Sequence, residues 1–197
     1  KVARLPDEAK PLGEQLLSRK HEIRRSIDRV LRVPLTGLSM RVHGDYHLGQ
    51  VLFTGRDFYI IDFEGEPARS INDRKRLRSP LVDVAGMIRS FHYAAFGALT
   101  QDVPGSQVRP EDRAALAPWA HAFYRASARC FWESYLKEIE PLGVLPRDRS
   151  ERALLLEVHL LEKALYELVY ELNNRPNWAE LPLRGILSLL DATKSQS

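Results

Sequence analysis

From Asp7 to about Val33 the apolar residues Leu12, Leu16, Ile23, Ile27, Val30 and Leu31 recur at near-helical spacing among charged ones. That pattern predicts one amphipathic helix in need of a partner surface. Past Pro34 and Gly37 the period changes. "LSMRV", "VLF" and "FYII" are short β-type runs, the last two separated by the turn-like "TGRD". In "RSPLVDVAGMIRSFHYAAF", Ser79 can cap a helix, Pro80 fits its first turn, and Val84, Ala85, Ile88 and Phe91 share a face. "QDVPGSQVRP" (101–110) reads as a loop. Long helices are predicted from Glu111 to about Glu140 and from Ser150 to about Asn173, with a shorter one from about Leu183 to Asp191.

The predicted fold class is therefore mainly α with a small β-hairpin region, an α+β arrangement in one domain. At 197 residues the chain suits a single core. Its 44% hydrophobic and 28% charged residues are those of a soluble globular protein, and no apolar run approaches the roughly 20 residues of a membrane span. No secretory-type sequence opens the chain, so a cytoplasmic location is expected. The one cysteine, Cys130, sits in "ASARCFWESY" and is read as a packing residue. The net charge of +3 is slight, and only "DRKRLR" (73–78) concentrates basic residues. Such a run is ordinarily a solvated face, so neither nucleic acid nor membrane is expected as a partner.

The chemistry gathers in "VHGDYHLGQVLFTGRDFYIIDFE", residues 42–64. His43, Asp45 and His47 alternate as metal ligands would along a strand. No further His or Cys cluster completes a transition-metal set, however: His92, His121 and His159 are dispersed on predicted helices. Phosphoryl transfer asks for something else: an aspartate to orient the attacking hydroxyl, and oxygen ligands for magnesium on the nucleotide phosphates. Asp45 follows the turn glycine Gly44, Gln50 carries an amide oxygen five positions on, and Asp62 ends the next apolar strand.

"HGDYHLGQ" followed by "IIDFE" resembles the catalytic loop and metal-binding strand of aminoglycoside-phosphotransferase-like small-molecule kinases. Their pattern is H-G-D-x-x-x-x-N, then a hydrophobic strand ending in Asp. Gln50 stands where Asn is usual and lengthens the arm by one methylene. Together with "DFEGEPAR" and "KRLRSPLVDVAGMIRSF", that glutamine narrows the resemblance to the maltokinase family, including the maltokinase part of trehalose synthase fusions. The likeness is strong from Met40 to Phe96 and looser through "YELVYELNNRPNWAELPL".

The resemblance implies the C-terminal lobe of a protein-kinase-like fold. It implies ATP and Mg2+ as cofactors, maltose as acceptor giving maltose 1-phosphate, trehalose synthase as a fused or associated partner, and a place in glycogen biosynthesis. Asp45 falls on the catalytic base and Asp62 on the principal magnesium ligand, with Gln50 beside it. Glu64 is expected to bind the ion through water or to orient the loop. His43 is assigned to loop support and His47 to the sugar side. Asp83 is expected to brace the loop or line the acceptor pocket. Tyr166, Tyr170 and Trp178 are the aromatic candidates for stacking on sugar rings. "PLTGLS" is no phosphate loop, so the ATP-binding N-terminal lobe is expected to be missing and the chain inactive alone. Two alternatives stay open: another acceptor, whether sugar, amino alcohol or aminoglycoside, or a non-catalytic binding domain. Aminoglycosides would want an acidic pocket, and the late helices show few clustered acids.

Overall fold

The computed structural model describes residues 5–100 and 107–194. Most of the predicted 101–110 loop lies outside the described residues. The predicted first helix is two, α1 (Lys10–Ser18) and α2 (Lys20–Leu31), after a 3-10 turn at Asp7–Ala9. The helical path breaks at Arg19, whose guanidinium bridges Glu22 at 2.9 Å and Asp191, near the end of the chain, at 2.7 Å. Local periodicity did not reveal this break, because Leu16 and Ile23 still reach one core across it.

The stretch "LSMRV" forms no strand. It makes a single bridge, Met40 to Arg78, with both backbone hydrogen bonds at 2.9 Å. Strands β1 (Val51–Phe53) and β2 (Phe58–Ile60) pair antiparallel in the register Val51–Ile60, Leu52–Tyr59, Phe53–Phe58. The turn between them carries Gly55 at φ 89°, a left-handed conformation that glycine adopts without strain. A short α3 (Ile71–Arg74) covers the start of the basic run.

Four long helices complete the fold: α4 (Leu81–Thr100), α5 (Arg113–Ile139), α6 (Arg149–Asn174) and α7 (Glu180–Lys194). Central α4 packs on α5, α6 and α7. The Ser79 hydroxyl accepts from the Leu81 N–H at 3.3 Å to start it. Leu81, Val84, Ala85 and Ile88 are buried, each large one stabilising the fold by about 1.5–3 kcal/mol. Phe91 is only half-buried. One core joins Leu81, Val84 and Ile88 to Leu145 and Leu155; the other joins α1 to Leu161, Ala164, Leu183, Ile186 and Leu190 of α6 and α7.

Cys130 is exposed on α5, a correction to its reading as a packing residue: the core side of that helix is taken by Tyr124, Ala128, Phe131 and Trp132. Among the described residues no helix is long and apolar enough to cross a membrane.

Candidate active site

The loop at residues 43–50 is held from two sides. Both carboxylate oxygens of Asp83, in the first turn of α4, accept backbone N–H groups: His43 at 2.7 Å and Gly44 at 2.8 Å. Gly44 takes φ 85° there. Gly86, one turn on, lets the helix touch the loop, since a Cβ at that position would lie 2.6 Å from the Tyr46 carbonyl oxygen. His43 is buried. Its Nδ1 accepts from the Asp45 N–H at 3.3 Å, which puts the ring proton on Nε2, and Nε2 donates to the Ile61 carbonyl at 2.8 Å. One imidazole thus joins the loop to the strand end.

Asp45 projects from this support with 16% of its side chain exposed. Its Oδ1 accepts from Lys163 Nζ of α6 at 3.1 Å, and its Oδ2 lies 3.8 Å from His47 Nε2. His47 Nδ1 accepts the Gly49 N–H at 3.0 Å, capping the 3-10 turn that leads to Gln50. Gln50 Nε2 donates to Asp62 Oδ2 at 3.0 Å. Asp62 itself sits at φ 62°, an uncommon conformation for a non-glycine residue that turns the chain sharply after β2. Glu64 is exposed, its backbone carbonyl taken by Arg74 at 3.3 Å.

The oxygens of Asp62 and Gln50 could serve a hard cation. Among the described residues no three His, Cys, Asp or Glu side chains gather into a ligand set, so no all-protein cage is built. A carboxylate and an amide oxygen side by side are what magnesium takes when phosphates and water supply the rest. The amide has an oxygen to offer whichever way its end is turned.

Beside Asp45 opens a cleft of about 540 Å³. Residues Lys163, Tyr166, Glu167, Tyr170 and Glu171 line it at helical spacing from α6, and Glu66 faces them from the loop after β2. Glu66 Oε2 is 3.9 Å from Lys163 Nζ. Glu167 is gripped by buried Arg89 at 2.6 Å and Glu171 by Arg175 at 2.7 Å. The Tyr93 hydroxyl donates to Glu171 at 3.3 Å. Burial, with Glu167 and Glu171 close by, holds the Tyr93 phenol protonated far above its ordinary range. Burial and neighbouring Glu66 do the same for Tyr166.

The structure brings Tyr166 and Tyr170 to the cleft and leaves Trp178 out of it. Trp178 stacks on the Arg175 guanidinium at 4.8 Å and packs over Gly97, lining a separate depression with Pro6 and Asn177. The expectation of few acids is corrected: Glu66, Glu167 and Glu171 all line the cleft. Sequence reading missed them, and missed Lys163, although the 163–166–167–170–171 stripe is visible in the sequence as polar residues interleaved with the two tyrosines.

No protein-family model matches the chain. Among curated proteins it is 29% identical over 181 residues to a glucosamine kinase of Mycolicibacterium smegmatis, covering 91% of this chain and 41% of that protein. To a glucosamine kinase of Streptacidiphilus jiangxiensis it is 25% identical over 183 residues, covering 90% and 37%. A solved glucosamine kinase in complex with glucosamine, ADP and inorganic phosphate matches with a TM-score of 0.77 at 23% identity, over 99% of this chain and 45% of that one. A crystal form of glucosamine kinase matches at 0.78, again at 23% identity, over 99% and 44%. The chain thus spans less than half the length of these relatives. The likeness fixes the fold as one found within glucosamine kinases and supports kinship with small-molecule kinases. It supports neither maltokinase in particular nor trehalose synthase as a partner.

Proposed function

We propose that this chain is the acceptor-side part of an ATP-dependent sugar kinase, with Asp45 as the base and an amino sugar of the glucosamine kind as the acceptor. The observation that carries the reading is the position of Asp45. It stands at the edge of a cleft lined by carboxylates and two tyrosines, and Gln50 and Asp62 lie together at the far end of the same loop. Asp45 orients the acceptor hydroxyl and receives its proton as the oxygen attacks the γ-phosphate of ATP. Gln50 and Asp62 would hold magnesium, which when bound offsets charge on the phosphates. His43 and Asp83 keep the loop in shape, and Glu64, exposed beyond Asp62, would bind the ion through water.

The charge balance of the cleft favours a cationic acceptor. Asp45, Glu66, Glu167 and Glu171 set four carboxylates against the three cations Lys163, Arg89 and Arg175, leaving one negative charge over. The names of the curated relatives point the same way. Maltose is the second reading, carried by "HGDYHLGQVL" with Gln50 and by a cleft of a size that takes drug-sized ligands.

The phosphates of ATP would be held by a part of the parent protein other than residues 1–197. Supporting this is exposed apolar surface on the hairpin, where the cross-strand neighbours Phe53 and Phe58 are 64% and 65% exposed with their ring centres 5.0 Å apart. Contiguous apolar surface of that kind marks a contact site. The chain alone is expected to bind sugar without turning it over.

Sugar-dependent release of ADP by the full-length parent, measured with glucosamine, glucose, maltose and an aminoglycoside, tests the reading. Glucosamine should give the highest kcat/KM. Faster turnover of maltose would replace the amino sugar by the disaccharide, and no turnover of any of them, with Asp45→Asn indifferent, would favour a binding domain.

A further inference from the structure

We infer that Lys163 is the positioning residue of Asp45, fixing which of its carboxylate oxygens is left to act as the base. This inference rests on the reading of Asp45 as the base.

Lys163 belongs to α6 and lies 118 positions from Asp45, yet its Nζ donates to Asp45 Oδ1 at 3.1 Å. That oxygen is thereby engaged. Among the described residues no side-chain hydrogen bond engages the other, Oδ2; His47 Nε2 lies 3.8 Å from it, beyond hydrogen-bond reach. An aspartate held by one oxygen presents the second in a defined direction, which is what a base facing a bound hydroxyl requires. Lys163 is itself held in place. Its ammonium lies 5.3 Å from the centre of the Tyr166 ring and 3.9 Å from Glu66 Oε2. The three charged side chains are 25%, 16% and 14% exposed for Lys163, Asp45 and Glu66, so water screens the group far less than a surface pair.

Glu66 gives the arrangement its chemical sense. In the transfer step the acceptor oxygen bonds to the γ-phosphorus while the bond from that phosphorus to the β–γ bridging oxygen breaks. The electron pair leaves with ADP, and the acceptor proton passes to Asp45 Oδ2. Asp45 is then neutral. A lysine paired with Asp45 alone would become an uncompensated charge in a half-buried site, which is costly. With Glu66 on its other side, Lys163 keeps an anionic partner before and after the proton moves, so Asp45 can change charge without the cluster coming apart.

The test uses the full-length parent with ATP and its best sugar, comparing Lys163→Ala, Lys163→Met and Lys163→Arg with the unsubstituted enzyme. Lys163→Met keeps an unbranched side chain without the charge and serves if the alanine variant folds poorly. The expected result is a fall in kcat of about 10- to 100-fold for Ala and Met, with KM for the sugar moved by less than about threefold. Arg should recover part of kcat, and added methylammonium should restore part of the Lys163→Ala rate in a saturable way while leaving the unsubstituted enzyme and Asp45→Asn unchanged. A kcat within about threefold of the unsubstituted enzyme overturns the inference. So does a loss confined to KM, or one that tracks a lowered Tm and responds neither to Arg nor to methylammonium. A parent inactive on every sugar would instead sink the kinase reading itself.

Discussion

Arg89, 2% exposed at the centre of α4, grips one carboxylate oxygen of Glu167 through both Nε at 2.9 Å and Nη2 at 2.6 Å. Burial opposes the arginine's charge, and the Glu167 carboxylate outweighs it, so Arg89 is held protonated even more firmly than a free arginine. Gly185 of α7 makes room for the guanidinium; a Cβ there would overlap Nη1. The pair thus sets a cleft carboxylate against three helices at once.

Removing one partner strands the other. Arg89→Met should cost about 3–5 kcal/mol in urea unfolding, because Glu167 is left charged and nearly buried. Arg89→Met combined with Glu167→Leu should recover most of that loss, since neither charge then remains. A single-variant cost under about 1 kcal/mol would mean water reaches the pair far more freely than its burial implies.

Gly86 is where α4 meets the loop that presents Asp45. In Gly86→Ala the added methyl meets the Tyr46 backbone carbonyl, which cannot rotate away as a side chain can. Loop or helix must move, at a cost of about 1–3 kcal/mol. A displacement near 1 Å at Asp45 should lower kcat of the full-length parent by about 100-fold. Steady-state kinetics beside thermal melts checks this; unchanged kcat would show that the loop shifts without carrying Asp45.

His92 gives the fold a pH dependence. Burial, then the nearby charge of Arg89 and His121, lowers its pKa to about 3. Unfolded, the imidazole titrates near 6.5, so between those values the unfolded chain binds a proton that the folded one refuses. Stability should therefore fall as pH drops from about 6.5 towards 3, by about 1.4 kcal/mol per pH unit from this group. Denaturant midpoints at pH 7 and 5 should converge in His92→Phe. An undiminished pH slope in that variant would assign the effect to other groups.

Much of this fold was legible because local period records which face of a helix is buried. For α6, Ser150 to about Asn173 was predicted and Arg149–Asn174 is found. The turn before Asp45 and the spacing to Asp62 were legible too, being short-range. What stayed hidden depends on partners far along the chain. The Lys163–Asp45 contact joins residues 118 apart, and Arg89–Glu167 joins residues 78 apart. No local pattern encodes such pairs. Glu66 stood in plain sight in "DFEGEPAR", but only the packing of α6 against that loop turns it towards the cleft. Trp178 went the other way: the turn at Arg175 and Pro176 rotates it off the tyrosine face onto Gly97.

Gln50 and Asp62 carry the last prediction. Their contact at 3.0 Å spans the base of the hairpin, and the Gln50 backbone carbonyl also accepts the Ile61 N–H at 3.0 Å. The side chain's reach therefore starts from a fixed point. Asn at this position is one methylene shorter and cannot bring its amide to Asp62 without moving that backbone. In the full-length parent, Gln50→Asn should raise the magnesium concentration for half-maximal activity by about tenfold or more and leave kcat at saturating magnesium within a few-fold. Gln50→Leu, which keeps the bulk and loses the oxygen, should do worse on both counts. Titrating activity against magnesium at fixed ATP separates the two. If Gln50→Asn behaves as the unsubstituted enzyme, the backbone here yields, and the longer arm of the glutamine has no part in holding the ion.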